Sequence, residues 1–313
     1  MNNFVKLPVI LITGKNGQVG WELQRSLMSL GHVVAVDRQR MDLSNNQSII
    51  DCIRDVKPDI IVNTAAYTAV DKAEEEKELA MQVNGIAPGV IAEEAKKLGS
   101  LLIHYSTDYV FDGTKETPYV ETDEPNPINE YGRTKLAGER AIQLSGCKYL
   151  IFRISWVYGA RGNNFLLTMF RLMMERDELN VINDQVGVPC WSRLVSDVLM
   201  LCIYRLLEDL EGMEEVGELF HLCPYGSTSW FGFSQYIQKY LEDHQYTSSD
   251  SVKIKSITTE EYGGEVSRPK HSVLDTSKLC DQFGVKFPYW EAGVDLCLSD
   301  IFSKLNVNEK IGK

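Results

Sequence analysis

The chain has 313 residues, of which 44% are hydrophobic and 24% are charged. This globular composition suits one large domain or two linked domains and excludes a disordered or collagen-like chain. The formal net charge of −12 disfavours nucleic acid and anionic membranes as general partners. No apolar run reaches the ~18 residues of a membrane span. The seven cysteines form no CxxC pair, which is typical of reduced thiols. We therefore expect a soluble, cytoplasmic enzyme.

Short β-rich runs alternate with helical stretches through the first half of the chain. The β-rich runs cover residues 9–13, 33–37, 59–66, 101–107 and 149–155, and the helical stretches cover 18–30, 46–56, 74–98 and 130–144. The runs lack polar alternation, as expected of strands that are buried on both faces. Strand–helix alternation of this kind predicts an α/β fold, a doubly wound parallel sheet of the Rossmann type.

The regular alternation weakens after about residue 158. Helical stretches are predicted at 163–176, 191–208 and 229–242, strand-like runs at 179–182 and 218–223, and a polar loop at 244–251. We predict a dinucleotide-binding domain over residues 1–157. Residues 158–313 are expected to form a smaller, mainly substrate-binding α/β part, with some later segments returning to the first domain.

A glycine turn follows the first predicted strand directly. Gly14, Gly17 and Gly20 have GxxGxxG spacing and lead into an amphipathic helix. The first glycine permits a tight turn, the second lets the backbone approach a pyrophosphate, and the third allows the helix to pack closely on the strand. Because the helix N-terminus also offers unpaired N–H groups to phosphates, the turn predicts a dinucleotide site.

The end of the second predicted strand bears on the choice of dinucleotide. Asp37 lies about 20 residues past the glycines, where a carboxylate binds the adenosine ribose of NAD. Arg38 and Arg40 follow, and guanidinium groups could instead bind the 2′-phosphate of NADP. The two signals conflict, so we predict that NADH and NADPH are both used. Asp42 is placed to meet the adenine edge.

A tyrosine and a lysine lie four residues apart at the start of a predicted helix. Tyr131 and Lys135 would share one face of that helix, and the preceding strand ends at Thr107. Reducing a ketone by hydride requires a proton donor, and an ammonium group near a phenol makes the phenol a stronger acid. We therefore predict Tyr131 as the acid, Lys135 as its partner, and Thr107 as a hydrogen-bond donor to the carbonyl oxygen.

Eight segments distributed along almost the whole chain carry a family resemblance. They are GKNGQVGWELQ (14–24), TAAYTAVDKAE (64–74), HYSTDYVFDGT (104–114), EYGRTKLAGE (130–139), FRISWVYG (152–159), GNNF (162–165), VINDQ (181–185) and SRP (267–269). Together they resemble the extended short-chain dehydrogenase/reductases and, within them, the dTDP-4-dehydrorhamnose reductase family. The resemblance implies NAD(P)H-dependent reduction of the C4 ketone of dTDP-4-dehydro-6-deoxy-L-mannose, a nucleotide sugar, to dTDP-L-rhamnose.

The resemblance also implies roles for individual residues. Tyr131 would be the proton donor and Lys135 its partner and ribose ligand, while Thr107, Asp108 and Trp156 would contact the substrate. The implied cofactor contacts are Gly17, Gln18, Val19, Asp37, Asp42, Leu43, Ala66, Tyr67 and Thr68. We add Arg268 as a candidate ligand of the substrate diphosphate, because guanidinium groups suit phosphate oxygens.

One position departs from the family pattern. Some members join two subunits through a Mg²⁺ site that uses one glutamate in the WEL segment and a second glutamate in a later helix. Glu22 matches the first position, but Arg193 occupies the second. A cation there repels Mg²⁺, so the sequence disfavours this metal site and leaves a monomer or a homodimer open.

Other functions remain to be weighed. The dehydratases that resemble this chain carry an acidic residue directly after the Thr-Asp pair, where this chain has Tyr109. The epimerase pattern also differs from the segment at 106–114. Another nucleotide-sugar reductase or epimerase stays an alternative, as does a non-catalytic NADP-binding subunit like the regulatory subunit of methionine adenosyltransferase. Turnover would distinguish a catalyst from such a subunit.

Overall fold

The central sheet consists of parallel strands. A computed structural model describes residues 7–208, 216–247 and 252–311. Within these residues, the six strands of the sheet run in the order β2-β1-β3-β4-β5-β10. Their bounds are β1 Val9–Thr13, β2 His32–Ala35, β3 Ile60–Asn63, β4 Leu101–Thr107, β5 Lys148–Ile154 and β10 Gly217–Leu222. The predicted fold class is confirmed.

The strand order creates a cleft at one edge of the sheet. The chain passes from β1 outward to β2 and then returns to β3 on the opposite side of β1. In open parallel sheets, ligands bind beyond the carboxyl ends of the strands at such a reversal. The register aligns Thr13 of β1 with Asn63 of β3, and Asn63 with His104 of β4. Buried polar side chains from three strands are therefore neighbours next to the carboxyl ends of the strands.

Helices cover both faces of the sheet. The first helices are α1 Gln18–Ser26, α2 Asn46–Val56, α3 Val70–Ala73, α4 Lys77–Met81, α5 Ala87–Leu98 and α6 Glu130–Ser145. Side chains of a strand alternate between the two faces. Ile10 accordingly packs in the same apolar cluster as Leu23 of α1, whereas Leu11 packs with Ile53 of α2 and Ile91 of α5.

The helix predicted over 74–98 is confirmed for residues 77–98. It consists of α4, a π-helical turn at Gln82–Ile86, and α5, which follow one another without a break. Pro88 has no N–H, so it cannot donate the usual helical hydrogen bond to the carbonyl of Asn84. The side chain of Asn84, within this turn, accepts a hydrogen bond from Tyr67 N at 2.8 Å and donates one to Tyr67 O at 2.9 Å. The turn thus fixes the loop after β3, which lines the cleft.

The later part of the chain forms short strand pairs and helices. The pairs are β6 Val157–Tyr158 with β9 Cys190–Trp191, β7 Glu178–Ile182 with β12 Lys253–Ile257, and β8 Val186–Gly187 with β11 Thr228–Ser229. The helices are α7 Phe165–Glu175, α8 Ser192–Glu208, α9 Trp230–Asp243, α10 Thr259–Tyr262, α11 Ser277–Phe283 and α12 Trp290–Ile311.

The predicted division at residue 157 does not coincide with an edge of the sheet. Strand β10 lies well past that position, yet it pairs with β5 in the central sheet. The domain boundary therefore stays a prediction. Residues 248–251 of the predicted loop 244–251 lie outside the described residues.

A buried ion pair joins α6 to β5. Arg153 donates to both carboxylate oxygens of Glu139, at 3.0 and 2.7 Å, and the two side chains are only 4% and 1% exposed. Removing one partner leaves an uncompensated buried charge. We expect Glu139→Gln to lower the free energy of unfolding by about 3–5 kcal/mol, measured by urea unfolding.

The exposed pair of Lys255 and Glu178 provides the control. Its side chains are each 44% exposed, and exposed pairs contribute little to stability. Glu178→Gln should change the free energy of unfolding by less than about 1 kcal/mol. Equal losses in the two variants would contradict the expected effect of burial.

Candidate active site

Two connected cavities form a cleft at the carboxyl edge of the sheet. Their volumes are about 770 and 650 Å³. Both are lined by Gly14, Gly17, Ala65, Ala66 and Thr68. The first cavity extends toward β2, and the second extends toward α6. Except for Arg40 and Arg268, all the residues that the sequence predicts as cofactor-binding, catalytic or substrate-binding line one or both cavities.

The glycine turn forms a cradle that side chains would fill. Gly14 has a positive φ of +67°, which residues other than glycine rarely adopt. A Cβ atom on Gly20 would lie 2.3 Å from the carbonyl oxygen of Gly14. Gly17 is the N-cap of α1 and has no side chain to cap the helix, so the first N–H groups of α1 are left for an anion. These features fit the pyrophosphate of a dinucleotide.

A lysine within the turn changes the electrostatics of the first cavity. Lys15 Nζ lies 2.8 Å from Asp37 Oδ2, and this hydrogen bond is the main cause of a lowered Asp37 pKa. The neighbouring Arg38 contacts Asp42 at 3.3 Å. The carboxylate at the ribose position is therefore paired with Lys15, and Arg38 is paired with the carboxylate at the adenine position. The glycine spacing gave no sign of Lys15, because its contact with Asp37 depends on the pairing of β1 and β2.

Helix α6 positions the predicted acid. Asn129 caps the helix by accepting a hydrogen bond from Gly132 N at 2.8 Å, and Tyr131 and Lys135 lie one turn apart. The Tyr131 ring is partly exposed to the cleft. Enough protein surrounds it that burial raises its pKa to about 12, although a hydrogen bond from Thr107 opposes the shift.

Lys135 is not among the groups that shift the Tyr131 pKa in this structure, so its role as the partner of Tyr131 stays a prediction. The Lys135 amine lies 2.6 Å from the Tyr105 carbonyl oxygen and 3.3 Å from His104 Nε2. It is thus held against β4, and burial lowers its pKa to about 8. The causes of the Tyr131 pKa shift are burial, Thr107 and Asp108. The sequence spacing placed the two residues correctly but did not reveal where the amine is bound.

Asp108 is a buried carboxyl group beside the predicted acid. It accepts hydrogen bonds from Thr107 and Ser155, each at 3.1 Å. Burial raises its pKa to about 6, against the opposing effect of its hydrogen bonds. Thr107 has one hydroxyl hydrogen, so it can donate to Asp108 or to Tyr131 but not to both at once. The protonation state of Asp108 therefore influences whether Thr107 donates its hydrogen bond to Asp108 or to Tyr131.

Two tryptophans form an aromatic wall of the second cavity. The rings of Trp156 and Trp230 are stacked, with centroids 3.5 Å apart and planes 7° from parallel. Trp230 Nε1 also donates to Gln185 Oε1 at 3.1 Å. Trp156 was predicted as a substrate contact, whereas Trp230 was not, since no sequence pattern links two such distant residues. A flat apolar face of this kind suits a sugar ring or a base.

Arg268 lies outside the cleft and is separated from it by the Tyr109 ring. Its guanidinium contacts Asp71 Oδ1 at 2.6 Å and forms a hydrogen bond with Tyr109. The Tyr109 ring lines the second cavity and meets the Tyr131 ring edge to face, at a centroid distance of 5.9 Å. Arg268 itself lines a neighbouring cavity of about 580 Å³. Its predicted contact with the substrate stays a prediction.

The position that disfavours Mg²⁺ is part of an ion pair. Arg193 lies 3.4 Å from the Glu22 carboxylate and 3.5 Å from that of Asp300. Among the described side chains, no three His, Cys, Asp or Glu residues are grouped as metal ligands.

No helix among the residues that the structure describes is both long enough and apolar enough to cross a bilayer.

Comparison with known proteins extends these observations to the whole chain. The family model for the RmlD substrate binding domain matches residues 8–302. A dTDP-4-dehydrorhamnose reductase of Burkholderia thailandensis is 43% identical over 296 residues, which cover 94% of this chain and 99% of the relative. The chain belongs to the dTDP-4-dehydrorhamnose reductase family. The family resemblance predicted from the sequence motifs is thus confirmed.

Solved structures agree with this assignment. A dTDP-4-dehydrorhamnose reductase from Bacillus anthracis, solved in complex with NADP, is 34% identical with a TM-score of 0.83, and the match covers 94% of this chain and 99% of that one. A UDP-glucose 4-epimerase from Thermotoga maritima has a TM-score of 0.77 at 20% identity, covering 95% and 99%. The latter likeness concerns the fold alone.

The raised pKa of Asp108 predicts a pH-dependent stability difference. Its pKa rises from an ordinary value of 3.8 to about 6, so ionisation opposes folding. The stabilisation by the protonated form is complete below about pH 4 and is lost as pH rises through about 6. Asp108→Asn cannot ionise. Its gain in free energy of unfolding over wild type should grow across this range to roughly 3 kcal/mol.

Urea unfolding at several pH values measures this difference. Asp55→Asn is the control for the loss of one carboxylate from the total charge, because the Asp55 side chain is 75% exposed. A difference between Asp108→Asn and wild type that stays constant from pH 4 to pH 8 would contradict the raised pKa.

Proposed function

We propose that this chain is an NAD(P)H-dependent reductase that converts the C4 ketone of dTDP-4-dehydro-6-deoxy-L-mannose to the alcohol of dTDP-L-rhamnose. The observation that carries the proposal is the convergence of Tyr131, Lys135 and Thr107 beside the glycine cradle. Two relatives named dTDP-4-dehydrorhamnose reductase, each matching 94% of this chain, support the proposed sugar-nucleotide substrate.

Each predicted catalytic residue of the cleft would have a separate role in the reduction. A bound dihydronicotinamide would supply the hydride. Thr107 would donate a hydrogen bond to the ketone oxygen, and Tyr131 would transfer its phenolic proton to that oxygen as the alkoxide forms. Burial keeps Tyr131 protonated at neutral pH. A nearby ammonium group would lower the cost of forming the phenolate, which is the role we propose for Lys135 after it leaves β4.

Removing the Tyr131 hydroxyl tests its role as the acid. Tyr131→Phe should lower kcat by about 10²–10⁴-fold while the dissociation constant of NADPH stays near that of wild type. Turnover is followed by nicotinamide absorbance, and cofactor binding by fluorescence. Tyr204→Phe, which removes an exposed phenol on α8, is the control. Nearly full turnover by Tyr131→Phe would exclude it as the proton donor.

A panel of 4-keto sugar nucleotides tests the function as a whole. We expect wild-type protein to consume NADPH with dTDP-4-dehydro-6-deoxy-L-mannose and to form dTDP-L-rhamnose. A non-catalytic subunit would bind NADPH without consuming it with any member of the panel. Consumption with a different sugar nucleotide would retain the reductase chemistry but change the substrate.

The ion pair between Lys15 and Asp37 supports the use of both dinucleotides. Lys15 pairs with this carboxylate and so reduces its repulsion of a 2′-phosphate, while Asp37 can still bind an unmodified ribose. We expect wild type to have similar kcat/KM for NADPH and NADH. Lys15→Gln should shift the ratio toward NADH by about tenfold, because a charged hydrogen bond to phosphate is lost.

Steady-state kinetics with each cofactor measures this ratio, and Lys255→Gln on β12 serves as the control lysine. A large preference of wild type for one cofactor would contradict dual use. An unchanged ratio in Lys15→Gln would exclude Lys15 from the selection.

Arg268 is proposed to exchange its carboxylate partner for the substrate diphosphate. Asp71 is 69% exposed, and pairs with such exposure contribute only about 0–1 kcal/mol. Arg268→Gln should therefore raise the sugar-nucleotide KM by about tenfold or more, whereas Asp71→Asn should lower it, since the competing anion is removed. If the pair is purely structural, both variants will change KM in the same direction. Glu178→Gln controls for the loss of an exposed ion pair.

A further inference from the structure

A line of buried polar groups crosses three neighbouring strands from Lys135 to the glycine turn. Lys135 Nζ lies 3.3 Å from His104 Nε2, and His104 Nδ1 lies 3.0 Å from Asn63 Nδ2. Asn63 Oδ1 in turn accepts a hydrogen bond from Thr13 Oγ1 at 2.7 Å. Each of the four side chains is 2% exposed or less. Thr13 directly precedes Gly14, so the line joins the predicted catalytic amine to the cofactor cradle.

The Thr13 hydroxyl fixes the direction of these hydrogen bonds. Its oxygen accepts from the backbone N–H groups of Thr64 and Ala65, each at 3.1 Å. A hydroxyl has two acceptor lone pairs and one hydrogen. With both lone pairs engaged, Thr13 must donate its hydrogen to Asn63. The oxygen of the Asn63 amide therefore faces Thr13, whichever way the amide would otherwise turn.

This orientation determines the tautomer of His104. With its oxygen toward Thr13, Asn63 presents its NH₂ group to His104 Nδ1, which must then be the acceptor. Burial lowers the His104 pKa well below its ordinary value, so the ring is neutral and carries one hydrogen. That hydrogen is on Nε2, and the Nε2–H group faces the Lys135 amine.

The tautomer in turn selects the protonation state of Lys135 in this position. A neutral amine can accept a hydrogen bond from His104 Nε2–H and donate one to the Tyr105 carbonyl. An ammonium has no lone pair and cannot accept a hydrogen bond. Its N–H groups would therefore lie against the His104 Nε2–H group, with the two nitrogen atoms 3.3 Å apart and no acceptor between them. The charge on Glu139, one turn along α6 and paired with Arg153 of β5, favours the ammonium, whereas burial disfavours it and lowers the Lys135 pKa to about 8.

We propose that His104 is a positioning residue for Lys135. Held by Asn63 and Thr13 as the Nε2–H tautomer, it accommodates the neutral amine and disfavours the ammonium, so that the charged form is directed away from β4 toward Tyr131 in the cleft. This role deepens the proposed function, because Tyr131 needs an ammonium neighbour to become a better acid. The tautomer itself does not depend on which ketone is reduced.

Nitrogen NMR tests the tautomer directly. Long-range ¹⁵N–¹H spectra of ¹⁵N-histidine-labelled protein distinguish Nε2–H, Nδ1–H and imidazolium forms. The chain has five histidines, and the signal absent from His104→Gln identifies residue 104. We expect the neutral Nε2–H form at neutral pH. A Nδ1–H form or an imidazolium would overturn the proposal.

Three substitutions, at Asn63 and Thr13, test what sets the tautomer of His104. Asn63→Asp retains the shape of the side chain but presents acceptors to both neighbours, so His104 should change to the Nδ1–H form. Thr13→Val removes the donor, so Asn63 becomes free to turn and a mixture of tautomers is expected. Thr13→Ser keeps the hydroxyl and should keep the wild-type tautomer. An unchanged Nε2–H form in Asn63→Asp would overturn the proposal even if Thr13→Val fails to fold.

Kinetics then distinguishes positioning from a purely structural role. In Asn63→Asp, Lys135 is retained on β4 as the ammonium, so kcat should fall by about ten- to a hundredfold. KM for the sugar nucleotide should change little, since Asn63 does not line the cleft. An unchanged kcat with the altered tautomer would overturn the positioning role. If wild type reduces none of the ketones tested but shows Nε2–H, the proposed function fails while the tautomer stands.

Discussion

The alignment of three parallel strand ends is the constraint on which the candidate site depends. Thr13, Asn63 and His104 are neighbours because β1, β3 and β4 run in parallel and in register. A shift of one residue along β3 would turn the Asn63 side chain to the opposite face of the sheet. The hydrogen bonds to Thr13 and His104 would then be lost. The same register that buries the apolar residues of the sheet therefore orients the amine of Lys135.

The sequence predicted elements best where local and tertiary preferences agree. The observed bounds of β1, β4 and α2 match the predicted ones, because apolar runs end at turn residues and Asn45 caps α2. The helix predicted over 74–98 is present from Lys77 onward, but its π-helical turn was not predicted, because periodicity does not register the missing N–H of Pro88. After residue 251 no element was predicted, although β12, α11 and α12 are present. Strand β12 is mostly polar, and its stability comes from pairing with β7.

The candidate site shows the same division between chemistry and environment. Spacing was enough to place Tyr131 and Lys135 on one helical face beside Thr107. It could not reveal that His104 and a carbonyl of β4 bind the amine, because those contacts depend on how α6 packs on the sheet. Lys15 and Trp230 were missed for a similar reason, since their partners lie on other elements. The types of residue in the site indicate which reaction is possible, whereas their burial and hydrogen-bond partners determine which of them are charged.

Local charge explains how a strongly acidic protein can bind anions. The net charge of −12 acts over the whole surface, where salt screens it within about 8–10 Å. Inside the cleft, the Lys15–Asp37 pair and the first N–H groups of α1 would act on a bound phosphate at much shorter range. Arg268 is held nearby by a carboxylate that is mostly exposed to water. A carboxylate that is well hydrated would lose little if an incoming diphosphate displaced it, so we expect the acidic surface to lower the rate of encounter more than the affinity.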